Sequence, residues 1–583
     1  MQKGYDTEAM RRCVAYAFRE LGFEKVRASV YSGDLPAPRI VKRARFQQCG
    51  LFPHQAFRRQ AFFDGAWHDE WVGEMLRGEW KSGGTVAPRR ASSRRSRYRA
   101  QPPEMGPVST PVGRPPEPEL QGAFVSGPVV LRDAALFTDL YELTMAASYF
   151  REGMHDRATF SLFVRKLPRA RSFLIAAGLE DVLAYLESLR FSAEALTHLT
   201  DTHRFDDRFL DFLAELRFTG EVRAVPEGTV VFPDEPLLEI TAPVIEAQLV
   251  ETAVMNACHV QTVVATKAAR VVLAAHGRPV VEFGLRRTPG VDAGMKAARC
   301  AFLAGATMSS NVLAERAYGI PATGTMAHSY VVAFPREIDA FRAFARAFPN
   351  GTTLLIDTYD TVTAAHKAVR VAREMAARGE RLAGVRLDSG DLLTLSREVR
   401  GILDAGGLGD VRIFASGGLD ESVIDRLLAA GAPIDAFGVG TRMDVSADAP
   451  YLDMAYKLVR YAGRDVLKFS TGKETWTGEK QVYRSSGPDG RFAGDRLTLR
   501  DEPAPAGFEP LLDVMMTGGR PLRPAPPLTA IRSRCAAQLA TLPDDVRRIA
   551  NPAPYPVVYS EPLRRRQRVI KAERKALEAR DGS

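Results

Sequence analysis

Between residues 279 and 445 one unit recurs: a short apolar run, a polar or glycine-bearing loop, then an amphipathic helix. The apolar runs fall at 280–283, 306–308, 322–326, 353–356, 384–387, 412–415 and 436–439. Well-patterned helices fill the gaps at 338–348, 364–378 and 422–430. Runs repeating every ~17 to 30 residues have the length of βα units, because parallel neighbours need a helical crossover to return the chain to the same end. Seven such strands, with one more from elsewhere, would close a (β/α)₈-type barrel; an open doubly wound sheet is the alternative.

The flanking sequence has a different texture. From about residue 130, an amphipathic helix over 137–149, with Thr138 as its cap, precedes β-like runs at 158–165, 220–224, 230–232 and 237–241. Helical patterns sit at 178–190 and 206–216. We assign residues 129–278 to an α+β domain to which 446–560 return, 279–445 to an α/β barrel, and 561–583 to a charged C-terminal tail that reads as a helix. Residues 1–80 hold three of the four tryptophans (Trp67, Trp71, Trp80) but no period long enough to build a core. They are either a small appended module or precede a start at Met105. Residues 81–128 read as a disordered linker: eight prolines fall within 81–120, and Arg89, Arg90, Arg94, Arg95, Arg97 and Arg99 repel one another.

The net charge of +9 belongs to one end. Residues 1–120 carry 21 Lys and Arg against 13 Asp and Glu, and the remaining residues carry 58 against 57. The charge is therefore no evidence for a polyanion-binding body, and the basic arm alone is a candidate for RNA or an acidic protein, with a solvated tail as the plainer account. No run reaches the ~18 apolar residues of a membrane span. The charges at Lys3, Asp6, Glu8, Arg11 and Arg12 argue against a secretory signal. Five cysteines without a CxxC pair fit a reducing cytoplasm.

In a βα barrel, reactive groups gather where strands end, because all those ends face one mouth. Nearly every apolar run here is followed at once by a charged, hydroxyl or glycine residue. Ser416, Gly417 and Gly418 end one run, and Gly440 and Thr441 the next. Two adjacent glycine loops before helices or turns suit a phosphate, since backbone N–H groups can approach it closely; turn formation alone is the alternative. Arg286, with Arg287, offers forked donors to a carboxylate or phosphate. Arg386, Asp388 and Asp391 put one cation and two carboxylates on a single loop, for an anionic substrate and for magnesium or a developing positive charge. His328, beside Thr325, is a candidate base or phosphoryl acceptor. Tyr141 is a core-edge ring or a stacking surface for a flat substrate.

Six segments, in order, carry a resemblance: TDLYELTM at 138–145, FGLRR at 283–287, SSNVLA at 309–314, GTMAHS at 324–329, RLDSGD at 386–391 and FGVGT at 437–441. Together they resemble the nicotinate phosphoribosyltransferase family over about residues 130–560. The resemblance implies a type II phosphoribosyltransferase fold, an irregular α/β barrel packed with an N-terminal α+β domain. It implies formation of nicotinate mononucleotide and pyrophosphate from nicotinate and 5-phosphoribosyl-1-diphosphate, in NAD salvage, with magnesium and with ATP as co-substrate. It places Tyr141, Thr325 and Arg386 on nicotinate and Thr441 on the phosphoribosyl group, and makes His328 the residue phosphorylated by ATP. It also implies a homodimer in which the tyrosine-bearing segment reaches the neighbouring barrel. On chemical grounds we add Ser416, Gly417, Gly418 and Gly440 to the phosphate, Arg286 to the diphosphate or carboxylate, and Asp388 with Asp391 to magnesium or the ribose hydroxyls. Within this fold the rivals are nicotinamide, which lacks the charge that makes Arg386 useful, and quinolinate, which needs more basic groups.

Overall fold

The computed structural model describes residues 133–168, 170–470 and 473–581, with short strands between residues 25 and 76. The N-terminal strands form a unit of their own. Glu70–Leu76 lies between Lys25–Tyr31 and Gln47–Phe52 in an antiparallel sheet, and Ala61–Phe63 pairs with Ala66–His68. Lys25–Tyr31 alternates Val26, Ala28 and Val30 with mostly polar residues, a period of two in a window too short to stand out in the sequence. The expected linker at 81–128 and its arginine cluster lie outside the described residues.

In the larger unit, six parallel strands form the α/β layer: β1 (Val280–Glu282), β2 (Met308–Ser309), β3 (Thr352–Leu355), β4 (Leu382–Leu387), β5 (Arg412–Ala415) and β6 (Ala436–Val439). Their order is β2-β1-β6-β5-β4-β3, so the first strand pairs with the last and the sheet curls as a barrel does. It stays open between β2 and β3, making a half-barrel. The strand expected at 322–326 belongs in that gap, and it is reduced to a single bridge from Ala322 to Ser309. Ser309 N–H donates to the Pro321 carbonyl and Thr323 N–H to the Ser309 carbonyl. Farther on, the Met326 carbonyl accepts from Arg386 at 3.4 Å, so this backbone serves a side chain where a ladder was expected.

The strands form because their apolar residues are wanted on both faces. Val280, Leu354, Leu355, Val385, Leu387, Ile413, Phe437 and Val439 are all buried, as expected of a parallel sheet covered by helices. Around it pack α4 (Thr361–Ala376), α5 (Leu392–Ala405) and α6 (Glu421–Ala429), each capped by an aspartate: Asp360, Asp391 and Asp420.

The second layer is a seven-stranded antiparallel sheet. Its order is Arg464–Asp465, Met454–Tyr461, Arg157–Val164, Pro236–Pro243, Glu221–Ala224, Asp513–Thr517 and Arg520–Pro521. Residues after the barrel therefore return to both edges of a sheet begun before it. Helix α1 (Leu140–Arg151) packs here. It starts one residue later than Thr138 suggests: its N-cap is Asp139, and the Thr138 hydroxyl donates to Glu142 instead. Helix α2 (Glu251–Ala274) is buried along most of its length and carries Cys258 and Val263 in one core and Val264–Ala265 and Ala268–Ala269 in the other. Helix α8 (Glu561–Asp581) is highly charged but anchored by buried Leu563 and Gln567.

Candidate active site

The strand ends converge through backbone bonds that cross from one loop to the next. Phe283 N–H donates to the Val439 carbonyl at 2.8 Å, Ile356 N–H to Arg386 at 3.1 Å, and Ser416 N–H to Leu387 at 2.7 Å. Parallel register thus puts the residues after β1, β3, β4, β5 and β6 on one rim.

Arg386, the penultimate residue of β4, projects into that rim and is mostly buried. Its Nη1 donates to Thr325 Oγ1 at 2.9 Å, its Nη2 lies 3.6 Å from Asp388 Oδ1, and its Nε has no partner among the described residues. The Phe283 ring lies beneath the guanidinium at 5.9 Å. Burial pulls this guanidinium below the usual arginine range, opposed by Asp388 and Asp357 and reinforced by Arg286. An arginine remains charged even so, and a buried guanidinium with a spare donor is set up to receive an anion.

Asp388 links three loops. One oxygen accepts from Ser416 Oγ, the other lies 3.7 Å from His328 Nε2, and its N–H donates to Asp357 Oδ2 at 3.0 Å. Asp357 also accepts from Ser389 Oγ, at 2.5 Å, while its Oδ1 is buried without a partner among the described residues. His328 opens the short helix His328–Val332, with its Nδ1 3.2 Å from Thr358 Oγ1 and its side chain 43% exposed.

The two glycine loops lie alongside. Gly417 has φ +85°, and a Cβ there would fall 1.8 Å from the Asp388 carbonyl oxygen, so only glycine fits. Gly418 also has a positive φ, but open space surrounds it. At Gly440, which precedes the turn Thr441–Asp444, a Cβ would approach the Phe283 carbonyl at 2.9 Å. Asp420 and Arg442 join the two loops at 2.8 Å. Beneath Gly284, Asp444 is buried against Glu282, and burial together with the Glu282 carboxylate pushes its carboxyl well above the usual range. Glu282 meanwhile accepts from Gly284 N–H and from Ser309 Oγ. Burial and the Glu282 carboxylate thus both favour the protonated form of Asp444.

The structure brings together Thr325, His328, Arg386, Asp388 and Ser416 through direct contacts, with Gly417 against Asp388 and Gly440 against Phe283. Arg286 is exposed on the short turn Leu285–Arg287 and makes no ion pair among the described residues. Asp391 stands apart from the direct contacts: its oxygens cap α5, accepting from Leu393 N–H at 3.1 Å and Thr394 Oγ1 at 2.6 Å. Tyr141 is not joined to the cluster either. It is 47% exposed in the first turn of α1, and burial of its hydroxyl and the nearby Glu251 raise its pKa.

Sequence reasoning gave no role to Asp357, Thr358, Glu282 or Asp444. Asp357 had a usable signal, since it follows its apolar run directly. No group of three His, Cys, Asp or Glu side chains is gathered for a metal among the described residues.

Comparison with known proteins agrees over most of the larger unit. Residues 136–259 match the nicotinate phosphoribosyltransferase N-terminal domain, 279–471 the nicotinate phosphoribosyltransferase family, and 504–567 its C-terminal domain. A nicotinate phosphoribosyltransferase of Mycobacterium tuberculosis is 52% identical, covering 73% of this chain and 92% of its own length. One from Bacillus subtilis is 37% identical over 73% of this chain and 93% of its own. The crystal structure of human nicotinic acid phosphoribosyltransferase superposes with a TM-score of 0.67 at 31% identity, over 74% of this chain and 99% of that one.

Proposed function

This chain belongs to the nicotinate phosphoribosyltransferase family and is an enzyme of that type in NAD salvage; from that premise we propose how its half-barrel mouth divides the work of the transfer. The observation that carries the reading is the spare Nε of Arg386, two residues before a carboxylate bonded to the first glycine loop. A pyridine carboxylate and a phosphoribosyl donor bound there meet at one strand end.

Arg386 pairs the nicotinate carboxylate, Thr325 holds the guanidinium in place, and Phe283 gives the ring an apolar neighbour. Ser416, Gly417, Gly418, Gly440 and Thr441 hold the phosphate of the phosphoribosyl group, and Arg286 meets the diphosphate. The pyridine nitrogen then forms its bond to the anomeric carbon as the carbon–oxygen bond to diphosphate breaks, the electron pair leaving with pyrophosphate. Positive charge grows on the sugar during this step, and Asp388 faces it. Asp388 and the unpartnered Oδ1 of Asp357 fit magnesium better than Asp391, whose oxygens serve a helix cap; that ion supplies neutralisation of the leaving diphosphate.

His328, exposed and flanked by Asp388 and Thr358, accepts the γ-phosphoryl of ATP: a nitrogen–phosphorus bond forms as the γ-phosphorus–oxygen bond to ADP breaks. The new charge sits beside the diphosphate site and changes its affinity for donor and product. The enzyme works as a dimer. Phe137, Leu140 and Tyr141 at the start of α1 are each 40–47% exposed, and Val312, which opens the helix Val312–Tyr318, and Tyr359 on the loop after β3 are more so, an apolar set suited to a second copy that delivers Tyr141 to nicotinate. We place the enzyme in the cytoplasm, consistent with free, buried Cys258, Cys300 and Cys535; among the described residues no helix is long and apolar enough to cross a membrane.

Turnover of nicotinate, nicotinamide and quinolinate, each with and without ATP, tests the reading. Nicotinate is expected to be strongly preferred and ATP-stimulated. Preference for either rival would overturn the assignment of Arg386.

A further inference from the structure

Beneath the two glycine loops lies a cluster of five charged side chains that the reaction does not touch. Glu421 begins α6, one residue after Asp420 closes the first loop. Asp448 lies seven residues beyond Thr441, on the turn that ends the second. The same two cations grip both. Arg171 forks onto Asp448 at 2.8 and 3.0 Å and reaches Glu421 at 3.4 Å. Lys267 Nζ lies 2.7 Å from Asp448 and also bonds Glu421. Arg270 adds a bond to Glu421 at 3.1 Å and another to the Ile549 carbonyl at 2.7 Å.

All but Asp448 are almost fully buried. Taking four of these charges out of water is costly, and apolar residues of similar volume would often serve stability as well. What an apolar filling cannot do is hold two loops at a defined spacing. These loops need that, because Gly417, Gly418 and Gly440 leave them few side chains of their own to pack. A phosphate site works only if its N–H groups are in place before the ligand arrives.

We propose that Arg171, Lys267 and Arg270, with Glu421 and Asp448, form a buried ionic clamp that sets the distance between the two phosphate loops, and that Asp448 is thereby a positioning residue for the phosphoribosyl donor. This rests on the reading that those loops hold the donor's phosphate. Arg171 follows the strand Arg157–Val164 of the α+β domain and Lys267 lies on α2, so the clamp ties both loops to elements outside the half-barrel.

The test is steady-state kinetics of Asp448→Asn, Asp448→Glu, Lys267→Met and the Asp448→Asn/Lys267→Met double variant, each with a measured Tm. Asp448→Asn is expected to raise the KM for 5-phosphoribosyl-1-diphosphate about tenfold. The nicotinate KM and kcat should stay within about twofold. Asp448→Glu should recover most of the loss, and the double variant should be no worse than the more harmful single one, as for partners in one unit. A donor KM that is unchanged or lowered in Asp448→Asn would overturn the clamp. So would an equal rise in both KM values with a fallen Tm, which marks general loosening. Thr441→Val, assayed alongside, reports on the loops themselves: if it leaves the donor KM unchanged while Asp448→Asn raises it, the loop assignment is at fault and not the clamp.

Discussion

On the phosphate side of the mouth, Gly417 is wedged against the Asp388 carbonyl, Asp420 is tied to Arg442, and a cluster of five charges, four of them buried, lies underneath. On the pyridine side, among the described residues, Arg386 keeps a spare donor, Asp357 a spare acceptor, His328 stands half in solvent, and Arg286 extends from an exposed turn without a carboxylate partner. One half is finished before any ligand arrives; the other is left with bonds to make. A phosphate has a fixed shape and is present from start to finish of the transfer, so a rigid nest suits it. The pyridine, the diphosphate and a phosphoryl group on His328 come and go, and their site needs groups free to re-pair.

If this contrast is right, the largest effect should come from the smallest change on the rigid side. Gly417→Ala places a methyl where the Asp388 carbonyl already sits, in a backbone conformation that L residues disfavour. Moving that carbonyl displaces Asp388 and Ser416 together. A loss of at least ~100-fold in kcat/KM for both substrates is expected, of the order that misplacement by an ångström brings. Gly418→Ala, which meets no atom, should cost far less. Equal losses in the two variants would show that the nest is not rigid in the way described.

On the adaptable side the effects should be selective. Arg386→Leu is expected to raise the nicotinate KM about 50-fold and leave the donor KM within about threefold, because the substrate carboxylate loses a buried partner. His328→Ala should abolish ATP stimulation, a drop of about tenfold, while slow ATP-independent transfer persists. Mass spectrometry should find phosphate on the wild-type chain only. Full ATP coupling in His328→Ala would remove the histidine from the reaction.

Much of this architecture is legible in the sequence, and the failures have causes. The runs at 412–415 and 436–439 match β5 and β6, and helices 338–348 and 422–430 lie one residue from their observed bounds. Buried parallel strands and amphipathic helices announce themselves by local composition. The run at 322–326 misled because Thr325 and Met326 look like strand residues, whereas their bonds go to Arg386, a partner sixty residues away. Asp391 misled in the opposite sense: an aspartate before an apolar helix is a cap as readily as a metal ligand, and here it caps. Glu282 and Asp444 carried no signal, since their closeness arises only when β1 pairs with β6.

That pair offers the finest test of the rigid half. Asp444 is buried against Glu282 beneath the turn that carries Arg286, where burial and the Glu282 carboxylate favour its protonated form. In the unfolded chain the same carboxyl ionises near the ordinary aspartate value of about 3.9. Its raised native pKa means that the folded state keeps a proton the unfolded state has released. The contribution to stability is therefore complete below the unfolded value and declines as pH rises through the native one. Asp444→Asn retains an N–H donor for Glu282 but cannot ionise, so it should remove this decline. Its Tm should stay close to wild type at pH 5 and exceed it by about 2 °C at pH 9. A Tm difference that does not change between the two pH values would mean that Asp444 is not the proton-bearing partner, and that the turn beneath Arg286 is held by packing alone.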